Sequence, residues 1–303
     1  MKLPPAVHEA VEIVSEAAQG WSDDNAPSMG AALAYYTLFS IAPLLLIVIS
    51  VAGLVFGEQA ARGEVMEQLS GLLGTDGAMA VEDLLKHVNR PDQGGWAAAI
   101  GTVVLLVGAT SVFAELQNSL NRIWKAPAAR SGPVWQGLLM LVRKRLLSLG
   151  LILGLGFLSM VSMVASAALA AVSKWWTPWL GTELVLLAQI LNGTLAYALI
   201  TVMFAVIYKW VPDVPVRWRD VWVGALITSA LFSLGKTLIG LYIGRSGVSS
   251  AYGAAASLVV MMLWVYYSTQ VFLMGAELSW AFAKRHSLRE QAAATAKRTF
   301  VTP

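Results

Sequence analysis

Apolar stretches carrying at most two charged residues each recur near residues 30–56, 96–118, 146–172, 183–208, 220–244 and 251–283. About 20 consecutive apolar residues in helical conformation match a hydrocarbon core about 30 Å thick, so each stretch predicts a membrane span. The last is long enough to tilt or to project from the bilayer. The pattern therefore predicts an all-α polytopic membrane protein with six transmembrane helices within residues 26–285.

Between and around these spans, shorter patterns predict helices that do not cross. Residues 1–25 place Val7, Val11, Val14 and Ala18 on one stripe and Glu9, Glu12 and Glu16 elsewhere, an N-terminal amphipathic cytoplasmic helix. Anionic lipid would repel its acidic face, which is better placed against the protein's own basic surface. Within residues 58–95, Val65, Leu69, Leu72 and Leu73 form one stripe, and Val81, Leu84, Leu85 and Val88 another. Gly74-Thr75-Asp76-Gly77 separates them, which predicts an extracytoplasmic helical hairpin capping the outer face. Val134, Leu138, Leu141 and Val142 precede Arg143, Lys144 and Arg145, a helix at headgroup level. Residues 286–303 are polar and alanine-rich and read as a flexible cytoplasmic tail.

Charge supplies the orientation. Fifteen Lys and Arg lie before the first span, in 119–145, in 209–219 and after 283, against five in 57–95, 173–182 and 245–250. The positive-inside rule then puts both termini in the cytoplasm of a bacterial-type inner membrane. Trp96, Trp175, Trp176, Trp179, Trp210, Trp218, Trp222 and Trp280 fall near span ends, where interfacial anchors belong. Composition agrees: 57% of residues are hydrophobic and 13% charged, against roughly a quarter charged in soluble domains. The chain has no cysteine, hence no disulfide or thiolate metal site. Glu9, Glu12, Glu16, Asp23 and Asp24 interrupt any signal-peptide core, so the first span is expected to serve as the signal.

Several strings carry a family resemblance. Residues 34–45 read AYYTLFSIAPLL, and Asn121-Arg122-Ile123-Trp124 follows span two. Later come Pro212-Asp213-Val214, Arg217-Trp218-Arg219-Asp220, Ser250-Ala251-Tyr252-Gly253-Ala254-Ala255, Leu263-Trp264-Val265-Tyr266-Tyr267-Ser268 and Gly275-Ala276-Glu277-Leu278. From about residue 20 to 285 the chain resembles the YihY/BrkB family of bacterial inner-membrane proteins. The resemblance implies six membrane helices, with spans one and six, where the motifs are densest, beside a central cavity. That family once carried the label ribonuclease BN, and the residues here argue against it. A metal-dependent nuclease gathers carboxylates or histidines at one site, whereas His8, His87 and His286 are scattered over both predicted sides. No phosphate loop, nucleophile elbow or H-E-x-x-H string is present, so no catalytic residue, metal or cofactor is expected.

Ionisable groups at membrane depth are costly and are functional candidates by default. Lys236 in span five lies roughly 22 Å from the cytoplasmic end at 1.5 Å per residue, level with Gln189 and Asn192 of span four. A cation with two amides at one depth would hold an anionic group; the plainer reading is that Lys236 snorkels to the outer headgroups. Tyr35, Tyr36 and Tyr252 add polar tips as substrate-binding candidates or simple interhelical bonds. Glu115 and Glu277, near the cytoplasmic ends of spans two and six, are candidates for coupling, or form ion pairs with the basic cluster. Pro43 predicts a kink in span one, either hinge or static bend. Arg122, Arg143, Lys144, Arg145, Arg217 and Arg219 are candidate contacts for anionic lipid headgroups, besides marking the cytoplasmic side. Gly53/Gly57, Gly150/Gly154 and Gly240/Gly244 have the spacing of close helix packing.

These features favour a transporter or translocase of a lipid or other amphipathic anionic substrate, using a cavity lined by spans one, four, five and six. The alternatives are a proton- or cation-coupled small-solute transporter and a non-transporting membrane scaffold. Membrane lipids are the expected partners and nucleic acid is not; a second copy of the chain or an extracytoplasmic protein are further candidates.

Overall fold

The computed structural model of the chain describes residues 4–88, 111–127, 190, 193–245 and 256–299. All regular structure among these residues is helical. The helices are α1 (Pro5–Asp23), α2 (Ala26–Phe56), α3 (Glu58–Val88), α4 (residues 111–123), α5 (Gly193–Trp210), α6 (Trp218–Arg245) and α7 (Ala256–Thr299). Among the described residues, α5 and the Leu258–Leu288 part of α7 are long and apolar enough to cross a membrane. The bent helix α2 adds a third if Ala26–Ile41 and Leu44–Leu54 form one span. Expected span three, most of span two, and residues 183–189, 191 and 192 of span four lie outside the described residues.

Local chemistry sets the boundaries. Pro5 starts α1 at a position whose N–H would have no helical partner. The α1–α2 turn is made by Asn25 in the left-handed region (φ 56, ψ 44), which asparagine tolerates better than most residues. Within α2 the axis turns by 51° between Ile41 and Leu44, across Pro43, which has no N–H to offer the Phe39 carbonyl. Gly57, at φ +87, ends α2 and leads directly into α3.

Residues 58–88 are helical throughout, yet Arg62 and Glu82 form an ion pair at 3.7 Å. A straight helix would hold positions 20 residues apart about 30 Å from each other, so the run doubles back between them. Val65 and Leu69 of one predicted stripe and Val81 and Leu85 of the other meet in a single apolar cluster with Ile49, Met261 and Trp264.

Among the described residues, α6 and α7 make a close helix pair. A Cβ on Gly224 would collide with the Gly275 carbonyl oxygen, and one on Gly275 with the Thr228 hydroxyl. Glycine at both positions allows this approach, as small residues do in membrane packing. Beside the crossing, buried Tyr208 of α5 hydrogen-bonds the Thr228 hydroxyl at 2.9 Å and donates to the Phe272 carbonyl at 2.7 Å. Other hydroxyls are satisfied inside their own helix: Thr37 on Leu33, Ser40 on Tyr36, Thr201 on Tyr197, Ser229 on Ala225, Thr269 on Val265 and Ser279 on Gly275. That pattern lets polar side chains sit in apolar surroundings. Large apolar side chains such as Phe39, Leu54, Leu234, Leu238 and Leu263 face outward, Leu54 at 87% exposure. An exposed apolar surface of this kind suits lipid rather than water.

Helix α7 has 44 residues, about 66 Å, and so outruns one hydrocarbon core. It stays helical to Thr299, through residues expected to form a flexible tail, because Ala, Leu, Gln, Glu, Lys and Arg are strong helix formers. Antiparallel to its projecting part runs α1, packed through Ala17 on Leu278 and Ala281. The predicted acidic face makes the polar contacts, Glu16 to Lys284 at 2.6 Å and Glu12 to Arg285 at 2.7 Å, while Val7, Val11 and Val14 remain exposed. The hydrogen bond from Arg285 holds Glu12 below its usual carboxylate range. A lowered value means the charged pair supports docking above the ordinary carboxylate range and loses that support as pH falls through the depressed value. Glu12→Gln/Glu16→Gln is accordingly expected to speed amide exchange in α1 at neutral pH, and the difference from wild type should shrink on acidification. Equal exchange in both proteins at neutral pH would remove the ion pairs from the docking.

Candidate functional site

Two features stand out: an apolar cavity inside the helices, and a charged assembly at the end where α1 meets α7. The cavity, of about 290 Å³, is walled by α2, α4, α5, α6 and α7. Leu33, Phe113, Leu116, Phe204, Phe232, Trp264 and Phe272 give it an aromatic and aliphatic lining, with Thr37, Ser268 and Thr269 as the polar members. Thr37 and Thr269 spend their hydroxyls on carbonyls of their own helices, whereas the Ser268 hydroxyl is buried without a partner. A chamber so lined solvates a hydrocarbon chain, not a charged group.

The charged assembly joins four chain segments. Asn121 of α4 donates to Asp213 at 2.8 Å and accepts from the Asp213 backbone N–H at 2.7 Å. Gln117 adds a bond to the Val211 carbonyl, so two motifs far apart in sequence clasp each other. Four residues beyond Asn121, Lys125 adopts a left-handed backbone (φ 50) and reaches the α1–α2 turn, bonding both Asp24 oxygens at 2.6 and 2.7 Å. Arg122 lies 4.0 Å from the same carboxylate, and Trp280 lies beneath both Lys125 and Lys284. Glu277, 1% exposed, faces Asp24 and packs against Gly20.

The sequence candidates are placed unevenly. Glu277 and Arg122 are brought together here; the carboxylate beside Glu277 is Asp24, and Glu115 is not among the charges acting on it. Lys236 is exposed on α6, one helical turn beyond the cavity residue Phe232. Tyr35 and Tyr36 are exposed on α2, stacked edge to face, and do not line the cavity. Arg217 and Arg219 are exposed beside Trp210, Trp218 and Trp222, whose rings form a continuous aromatic surface. Gln189, Asn192, Tyr252, Arg143, Lys144 and Arg145 lie outside the described residues. Asp24, Lys125 and Ser268 were missed as site residues: the first two read as ordinary terminal and loop charges, and a serine in an apolar span reads as filler. The proximity of Asp23-Asp24 to a span start was the available signal.

Relatives agree with a membrane protein. A UPF0761 membrane protein of Pseudomonas paraeruginosa is 29% identical over 273 residues, covering 89% of this chain and 62% of its own length. One from Alcanivorax borkumensis is 30% identical over 85% of this chain and 57% of its own, and one from Neisseria meningitidis serogroup B 28% over 86% and 60%. The chain thus spans about three-fifths of the length of these curated relatives. No solved structure matches it. Its motifs and a match of the family profile over residues 17–299 place the chain in the family described as Virulence factor BrkB, the YihY/BrkB family.

Proposed function

We propose that the chain is an inner-membrane transporter or translocase of a lipid or similar amphipathic anionic molecule, with six spans and both termini in the cytoplasm. The cavity carries the reading. Its lining suits hydrocarbon, and its walls come from the four spans expected to enclose a substrate, together with the end of span two. The anionic end of the molecule is assigned to Lys236. It lies about 6 Å further along α6 than Phe232, on the same face, so a chain seated against Phe232 carries its headgroup towards the cation. Gln189 and Asn192 complete this headgroup site in the proposal. The doubled-back segment 58–88, clamped by Arg62 and Glu82 and packed on Trp264, forms the extracytoplasmic hairpin over the chamber. The aromatic surface at Trp210, Trp218 and Trp222 with Arg217 and Arg219 marks the cytoplasmic headgroup level.

Native mass spectrometry of the protein in mild detergent tests the assignment. Wild type is expected to retain a defined anionic lipid and Lys236→Ala to lose it. Retention of the same lipid by Lys236→Ala would move the headgroup site elsewhere. No lipid on wild type would shift the reading to a soluble solute or to a scaffold.

A further inference from the structure

The charges around Glu277 leave it without a cation of its own. From the α1–α2 turn Asp23 and Asp24 act on it, and from the end of α4 Lys125 does so. Lys125 is already bonded to both oxygens of Asp24, with Arg122 4.0 Å from the same group. Along α7, Lys284 is bonded to Glu16 and Arg285 to Glu12 and Glu16. Among the described residues, then, each nearby cation is engaged by another carboxylate. Glu277 itself is 1% exposed, and its Oε1 is buried with no hydrogen-bond partner. Helix α1 presses against it at Gly20, where a Cβ would stand 2.5 Å from Oε2. At that exposure the bulk solvent does not reach the carboxylate.

An ionised carboxylate buried in this way, with a second carboxylate facing it, is strongly disfavoured; a neutral acid is not, and it gains an O–H to donate. We propose that Glu277 and Asp24 form a proton-binding site, in which neutral Glu277 donates its hydrogen to Asp24 and latches α1 onto α7. One proton taken from water binds the Glu277 carboxylate, and the same proton returns to water on release. Release sets two carboxylates face to face at Gly20, so the latch holds on the acid side of the Glu277 titration and loosens as pH rises through it. This direction is opposite to that of the Glu12–Arg285 pair, so the two contributions to α1 docking are separable by pH. The site stands independently of what the cavity carries.

Infrared difference spectroscopy on the full chain in lipid nanodiscs, stepped upward from neutral pH, tests the site. Wild type is expected to show a carboxylic-acid C=O band at neutral pH that vanishes on alkalinisation. The band should be absent from Glu277→Gln and shifted in Asp24→Asn, which changes the acceptor of its hydrogen bond. Amide exchange in α1 should rise beyond its intrinsic pH dependence in wild type and not in Glu277→Gln. No such band in wild type at neutral pH, or an unchanged band in Glu277→Gln, overturns the proposal. The wild-type spectrum and Asp24→Asn still decide it if Glu277→Gln fails to fold. Slowing of α1 exchange by sodium chloride, but not by choline chloride at equal ionic strength, would assign the site to a metal cation and overturn it equally.

Discussion

Ser268→Trp is expected to cut the translocation of a fluorescent anionic phospholipid in liposomes by at least about tenfold, equivalent to about 1.4 kcal/mol, while the protein remains folded and membrane-inserted. Ser268 lines the cavity, so an indole in its place takes up part of the chamber's volume. The effect is steric. A lipid tail is already in apolar surroundings in the bilayer, and entering the cavity yields no hydrophobic gain comparable to leaving water. Passage therefore depends on the shape of the chamber, and filling it removes the path. Ser268→Ala removes the hydroxyl without filling the space and should leave transport close to wild type. Leu33→Trp, growing from α2, should reproduce the loss. Wild-type transport by both tryptophan variants would show that substrate does not pass this chamber.

What the sequence revealed follows from the kind of signal each feature leaves. Apolar runs mark α2, α5 and the Leu258–Leu288 part of α7 because the bilayer demands length and few charges, and neither depends on tertiary context. Pro43 announced a bend in α2 for an equally local reason, its missing donor. The acidic face of α1 pointed to a basic partner surface, and Lys284 and Arg285 supply it. The site was harder to read. Glu277 stood out as a charge in a span, but its partner is set by a left-handed turn at Asn25 and another at Lys125, which bring Asp24 across 253 residues of sequence. Spacing along the chain does not encode such a meeting. Likewise, three pairs of glycines lie four residues apart in the sequence, whereas the close crossing of α6 and α7 uses Gly224 with Thr228 and Gly275 with Ser279. Each helix carries one glycine and one back-bonded hydroxyl, so the small-residue face was present but not in the form sought.

Gly275→Ala is expected to be among the most destabilising single-methyl additions in the protein. The added carbon would overlap the Thr228 hydroxyl and stand 2.5 Å from the Tyr208 hydroxyl oxygen, inside a fully buried contact of α5, α6 and α7. Overpacking of a core costs roughly 1–3 kcal/mol. Displacing an interhelical hydrogen bond in a membrane adds about 0.6–2 kcal/mol. A loss of roughly 2–5 kcal/mol is a large part of a typical stability of about 5–15 kcal/mol, and should appear as a lowered thermal unfolding temperature in detergent. Thr228→Ala alone removes the hydroxyl's bonds with Tyr208 and with the Gly224 carbonyl and should cost about 1–2 kcal/mol. In Gly275→Ala/Thr228→Ala the oxygen that the new methyl strikes is gone, so the double variant should lose less than the sum of the two single losses. The Tyr208 oxygen remains in place, which limits the rescue to a part. Strict additivity of the two substitutions would mean that the Gly275 side of the crossing yields by moving α7 as a body, and that the glycine is not held by Thr228.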